Sequence, residues 1–240
     1  MHRVKKYYQL IPEKVSDCLN VLNDLLRPDI RGYSLDNLKE VISIIALHIQ
    51  KSDGFAPLKM LFLKRFVPQA DKYLSGLMDA VIIIREGKYI PGEVSYKYRF
   101  APEYESKYLS IPLTNAKLIR RIEGVHDQLR MESSKAIRNH SEQSRFLKLL
   151  SIDESYKEYL MENYSIDTDQ FNSILASAIR IINNDIFYSI DNTSGRFHSN
   201  LTNISKGLRP YLRIKDEPLI NIDIKLDTKG RNKQELPSDF

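Results

Sequence analysis

VIIIREGKYIPGEVSYKYRF, residues 81–100, is where the character of the chain changes. A β-branched run gives way to GKYIPGE, which holds two glycines and a proline, and then to SYKYRF, where Tyr96, Tyr98 and Phe100 alternate on one face. That pattern predicts a β-hairpin. The sequence before it is helical. SLDNLKEVISIIALHIQ (34–50) opens on Ser and Asp that can cap, and sets Leu38, Val41, Ile44, Ile45 and His48 at helical spacing. PLKMLFLKRF follows with Pro57 at a first helical position, and Pro68 opens QADKYLSGLMDA, with Tyr73, Leu74, Leu77 and Met78 on one side.

Three short helices followed by a hairpin is the order of a winged helix-turn-helix domain, and residues 34–104 resemble that fold in order, length and turn chemistry. The resemblance implies a third helix that enters the major groove and a wing that lies along phosphates. In this chain the wing offers Arg85, Lys88, Lys97 and Arg99, and the third helix offers Lys72 beside Gln69 and Ser75. Backbone contact with duplex DNA is therefore better supported than base reading. The same order also serves domains used for packing or protein contacts. Tyr96 and Tyr98 are expected in the core rather than as stacking platforms.

Composition bounds the rest. The 240 residues carry 36 Lys and Arg against 31 Asp and Glu, a net +5, with pI near 9.1. That balance favours a polyanionic partner without requiring one. No apolar run approaches the roughly 20 residues that cross a bilayer, and MHRVKKYY lacks the features of a secretory signal, so no membrane partner and a cytoplasmic location are expected. Cys18 is the single cysteine and the five histidines are scattered, which argues against structural zinc.

The chain divides into a DNA-binding unit over 1–104, a proline-containing linker over 105–114, a helical portion over 115–225 and a polar tail over 226–240. The expected class is mainly α with a small β component, the second unit ending in a short strand. LTNAKLIRRIEGVHDQLRMESSKAIRN (113–139) predicts an Arg-rich helical region whose bases either line a nucleic-acid path or solvate a helix face; FLKLLSIDESYKEYLMENY and DQFNSILASAIRIINND predict two amphipathic segments, the latter with Phe171, Ile174, Leu175, Ala178 and Ile181 on one face.

TSGRFHSNLTNISKGLR (193–209) followed by PLINIDIK resembles a stretch of family A DNA polymerases. There a Thr-Gly-Arg signature and a Leu-Gln-Asn-Ile sequence precede a strand bearing the aspartate of motif A. Gly195 and Arg196 match the Gly-Arg; Leu201, Asn203 and Ile204 match the second part, with Thr202 in the Gln position; Arg209 fits the later base and Asp223 the aspartate. A winged helix with these motifs is also similar to replication-type proteins of bacterial phages and mobile elements. The resemblance implies that Arg196 and Arg209 contact a primer-template or single strand, and that Asp223 holds Mg2+ in a complete polymerase.

Two-metal phosphoryl transfer needs more than one carboxylate. The Ser-Gln and Glu that follow the family's aspartate are replaced here by IKLDTKGRNKQELPSDF, and the second catalytic aspartate lies further along than this chain extends. The expectation is a chain inactive as a polymerase and without a cofactor of its own: an N-terminal fragment, a frameshift product or a DNA-binding remnant. The alternatives are a winged-helix replication initiator or transcriptional regulator, and an interaction protein that binds no nucleic acid.

Overall fold

The computed structural model describes residues 7–49, 53–90, 93–134, 145–164, 168–190, 193 and 196–219. It is mainly α with a small β component. At its centre lies an element that the sequence pattern did not announce. Strand β1 (Tyr7–Pro12) pairs antiparallel with β5 (Tyr108–Leu113), in register from Tyr7 opposite Leu113 to Pro12 opposite Tyr108.

Between the two strands run α1 (Glu13–Asp17), α2 (Leu19–Leu26), α3 (Leu35–His48), β2 (Ala56–Pro57), α4 (Met60–Phe66), α5 (Ala70–Asp79), β3 (Ile83–Glu86) and β4 (Lys97–Phe100). Strand β4 lies between β2 and β3, antiparallel to both. Pro57 thus sits in an edge strand rather than opening a helix, and α4 starts three residues later. Helix α5 ends in a paired turn, with Ile82 N–H donating to the Leu77 carbonyl (2.9 Å) and Val81 N–H to that of Met78 (2.9 Å). This closure needs a left-handed residue, and Val81 supplies it at φ 57°. The β-branched run therefore enters its strand only at Ile83.

After β5 come α6 (Ala116–Ser134), β6 (Leu150–Ile152), α7 (Tyr156–Asn163), α8 (Thr168–Ile182), β7 (Tyr188–Ile190) and β8 (Phe197–Ser199). Two 3-10 turns (Asn200–Asn203 and Lys206–Tyr211) lead to β9 (Leu212–Ile214) and β10 (Glu217–Pro218). Strand β9 lies between β6 and β10, and β7 pairs with β8. Leu38, Ile42, Leu63, Leu77 and Phe100 from the first half belong to one buried cluster with Tyr156, Leu160, Ala178, Ile179 and Leu208 from the second.

The 105–114 segment is a correction to the expected linker. Its one proline, Pro112, fits a strand because of where its missing N–H group would point. Tyr8 is opposite Pro112, and Tyr8 turns its backbone outward, its N–H to Asn183 Oδ1 (2.9 Å) and its carbonyl to Asn183 Nδ2 (2.7 Å). Pro112 therefore faces outward too, and the ladder keeps all its bonds. Leu10 N–H donates to Ser43 Oγ of α3 (2.9 Å), and Tyr108 N–H to Asn172 Oδ1 of α8 (2.7 Å). The short strand expected over Leu219–Asp223 falls, from residue 220 on, outside the described residues, as does the tail.

Removing Asn183 strands two backbone groups of Tyr8, beside a buried strand. Asn183→Ala should lower unfolding free energy by about 2–4 kcal/mol in urea titrations, since each unpaired buried group costs about 1–3. Asn20→Ala, on the exposed side of α2, should stay within about 0.5 kcal/mol. Equal effects at the two sites would overturn the assignment.

Candidate nucleic-acid interface

The four bases of the first hairpin do not form one surface. Residues directly opposite in an antiparallel pair share a face, and Arg85 is opposite Tyr98 while Ile84 is opposite Arg99 and Glu86 opposite Lys97. Arg85 accordingly lies over the Tyr96 ring, 4.5 Å from its centroid, on the side where Tyr98 is buried. Lys97 and Arg99 are on the other face. Lys97 is 2.7 Å from Asp53, and Arg99 sits over Phe55 at 5.0 Å. Lys88 is exposed in the turn. Tyr96 is half-buried and stacked on Tyr89, with centroids 5.8 Å apart.

Helix α5 presents Asp71, Lys72, Ser75 and Asp79 to solvent. Lys72 is thus outnumbered by two carboxylates, although Lys64 pairs with Asp71 at 3.3 Å. With Lys64 and Lys72 balancing Asp71 and Asp79, this face carries no net positive charge to attract phosphate.

The second half supplies a stronger basic feature. Residues 196–215 contain Arg196, Lys206, Arg209, Arg213 and Lys215 and no Asp or Glu. Arg196 is exposed just before β8, and Arg209 is half-buried in the second 3-10 turn. Gly207 puts this turn against Tyr159 of α7, whose hydroxyl occupies the space a Cβ would need. Tyr159 is itself held, 5.5 Å from the Tyr211 ring and 3.1 Å from the Tyr164 hydroxyl. Lys215 and Asp216 have φ of 52° and 69°, the left-handed pair of a tight hairpin turn, which leaves Lys215 exposed at the tip. Arg213 is committed to folding: Nη1 donates to the carbonyls of Pro210 (2.6 Å) and Leu212 (3.0 Å), and Nη2 is 3.6 Å from Asp153.

HSNLT has a structural role here. Ser199 Oγ accepts from Leu201 N–H, Thr202 Oγ1 accepts from Ser199 N–H (both 3.3 Å), and the Asn200 side chain binds Phe187 N–H and the Asp185 carbonyl (both 2.8 Å). Ile204 is buried and Leu201 half-buried. Gly195 and Asp223 lie outside the described residues, and with Asp223 goes the only carboxylate assigned to Mg2+. Among the described residues, no group of three or more His, Cys, Asp or Glu is placed to hold a metal, and no helix is long and apolar enough to cross a membrane.

A buried polar junction beneath these surfaces escaped the sequence pattern altogether. Helix α8 closes as α5 does, with Asp185 N–H on the Arg180 carbonyl (2.8 Å) and Asn184 left-handed at φ 55°. The turn folds the Asp185 carboxylate back onto Arg180 Nη1 (2.5 Å) and to 3.8 Å from His126 Nε2. Arg180 Nη2 also donates to the Leu47 carbonyl (2.5 Å). Burial pushes the Asp185 carboxyl up, but Arg180, His126 and His48 outweigh it and hold it below the usual carboxylate range. Burial and Arg180 lower the His48 pKa, while its Nδ1 donates to the Ile44 carbonyl (2.8 Å).

Glu40 faces the same cavity of about 40 Å³. Burial first, and then the Asp185 charge, push its carboxyl up to about 7 against the lowering effect of the Gln9 amide, which donates to Oε2 at 2.9 Å. Only the tertiary fold brings these groups together; the one local signal is Glu40 on the apolar face of a helix.

No protein-family model, curated protein or solved structure matches this chain.

A carboxyl raised from its ordinary value near 4.5 to about 7 contributes stability below 4.5 that is lost as pH rises through 7. Glu40→Gln keeps an acceptor for Gln9 and cannot ionise. Relative to the parent it should gain on the order of 3 kcal/mol between pH 4.5 and 8. Urea unfolding across that range checks this, and parallel stability curves would overturn it.

Proposed function

We infer that the chain is a DNA-binding protein of replication type, closest in kind to a winged-helix initiator or regulator. The observation that carries the reading is the arrangement of α3, β2, α4, α5, β3 and β4, in which the short strand after the first helix closes onto the last strand of the hairpin. That order and pairing supports a winged-helix reading. Helix α6, β6, α7, α8 and the β7–β8 hairpin repeat the order, although β6 pairs with β9 instead of the hairpin. The polymerase resemblance has less support, because Ser199, Asn200 and Thr202 serve as local caps.

Phosphate binding falls chiefly to Arg196, Lys206, Arg209 and Lys215, which are in no ion pair among the described residues, with Arg85 and Lys88 as a second patch. These bases release condensed counterions on binding, giving affinity that falls steeply with salt and depends little on sequence. The exposed face of α5, where Asp71 and Asp79 offset Lys72, gives little support to base reading by that helix.

The test is duplex binding by fluorescence anisotropy across a salt series. Changing Arg196, Lys206, Arg209 and Lys215 together to Gln should weaken binding at every sequence tried, and should flatten the log–log salt slope by about 0.9 for each phosphate that is no longer neutralised. Lys97→Gln, which removes a base already paired with Asp53, should change neither. A parent that binds no duplex, or a quadruple variant with unchanged affinity and slope, would overturn the reading.

A further inference from the structure

The starts of α3, α5 and α6 meet around an open cavity of about 270 Å³ whose lining includes Ser34, Asn37, Gln69, Asn115, Lys117 and Arg121. No carboxylate lines it. Lys117 is exposed and Arg121 half-buried, and among the described residues neither is in an ion pair. A partly desolvated guanidinium without an anion is unfavourable on its own, so this arrangement favours an anionic occupant.

Asn115 and Ser34 add donors to the cavity, while the Tyr73 hydroxyl is engaged with the Ser34 backbone, accepting from its N–H (2.9 Å) and donating to its carbonyl (3.3 Å). Asn115 Oδ1 caps α6 by accepting from the N–H groups of Lys117 and Leu118 (both 3.1 Å), which leaves its amide nitrogen as a donor. Ser34 begins α3 without a side-chain cap bond, so its hydroxyl and the first-turn amides of that helix keep their donor capacity. Gln69 is turned away, its amide nitrogen donating to the Arg31 carbonyl at 2.6 Å. The positive ends of three helix dipoles add to the two side-chain charges. The acids of the first turns, Asp36 and Asp71, are outside the lining; Asp36 is 4.0 Å from Lys39 and Asp71 is 3.3 Å from Lys64.

The geometry points to an oxyanion site here, built for a phosphate group bound by Lys117 and Arg121 between the starts of α3, α5 and α6. Arg121 offers a fork that fits two phosphate oxygens, and Lys117 a point charge at the mouth. The phosphate belongs either to a nucleic-acid backbone, in which case the site rests on the DNA reading above, or to a free phosphate or nucleotide, in which case it stands without it.

Thermal melts and backbone-amide NMR with inorganic phosphate, against sodium chloride at matched ionic strength, test the site. Phosphate should raise the melting temperature beyond the chloride control and shift the amides of Asn37, Lys117 and Leu118. Lys117→Gln/Arg121→Gln should reduce phosphate affinity roughly tenfold or more, with a phosphate-free melting temperature like the parent's. Lys148→Gln, an exposed base elsewhere, should bind phosphate as the parent does. Equal responses to phosphate and chloride, or equal phosphate binding by parent and double variant, would overturn the proposal. A duplex that competes with phosphate identifies the backbone as its source. Phosphate binding that no duplex displaces, in a chain that binds no duplex, supports a free phosphate ligand and counts against the DNA reading alone.

Discussion

The outer edges of the β1–β5 ribbon constrain everything else in this molecule. Two strands are too few to be stable alone, and β1 is buried along most of its length, so the outward-facing backbone groups of the pair need partners from elsewhere. Asn183 satisfies both groups of Tyr8, Ser43 takes Leu10 N–H, and Asn172 takes Tyr108 N–H while donating to the Ser106 carbonyl at 2.9 Å. Pro12 and Pro112 occupy outward positions where no N–H exists to satisfy. Asn172 and Asn183 are eleven residues apart, about 16 Å along a helix, which lets one helix serve opposite ends of the ribbon. The ribbon joins residues a hundred positions apart, and the helices that satisfy its edges come from both halves. One shared core follows from that.

This also explains which elements were legible. Helices α5 and α6 each bury one stripe and expose another, α8 backs its buried stripe with half-buried residues, and α3 is buried without a break from Glu40 to Ala46; all four still carry a 3.6-residue period in the residues alone. The β3–β4 hairpin is half-exposed and shows its alternation. YYQLIP shows none, because Gln9, Leu10 and Ile11 are all buried, and a strand covered on both faces loses its period. Tyr108–Leu113 contains a proline and a serine, which read as linker until the register reveals that the proline faces outward. Val81 extends a β-branched run by composition, yet a hydrogen-bonded helix end claims it. In each case the deciding partner is distant in sequence.

The candidate interface divides in the same way. Parity alone places Lys97 and Arg99 on one face of their strand, but the position of Arg85 depends on which residue stands opposite it. Only the register separates it from them. The ion pair of Lys97 with Asp53 and the acids of α5 then weaken the first hairpin as a phosphate surface. The 196–215 stretch is different because its signal, bases without acids, is compositional; folding brings Asp153 to Arg213 but leaves Arg196, Lys206, Arg209 and Lys215 in no ion pair among the described residues. Exposed charges interact over about 8 Å at physiological salt. Bases kept apart from carboxylates therefore retain a local field, which bases interleaved with acids largely lose.

The Asp185 junction links these levels. Within six residues, α8 sends Arg180 to the Leu47 carbonyl at the end of α3, Asn183 to β1, and the Asp185 carbonyl to Asn200 at the base of the basic stretch. The left-handed Asn184 makes this possible by reversing the backbone so that carboxylate and guanidinium of one helix meet. A hydrophobic contact at this point would hold the halves together equally well but would not fix their register. Hydrogen bonds to particular backbone groups do, since each has one donor or acceptor in one direction. The junction is thus best understood as the element that orients the 196–215 stretch against α3 and β1, and its partly buried charges are tolerated because Asp185 has Arg180 and His126 beside it and faces a Glu40 whose carboxyl burial pushes up to about 7.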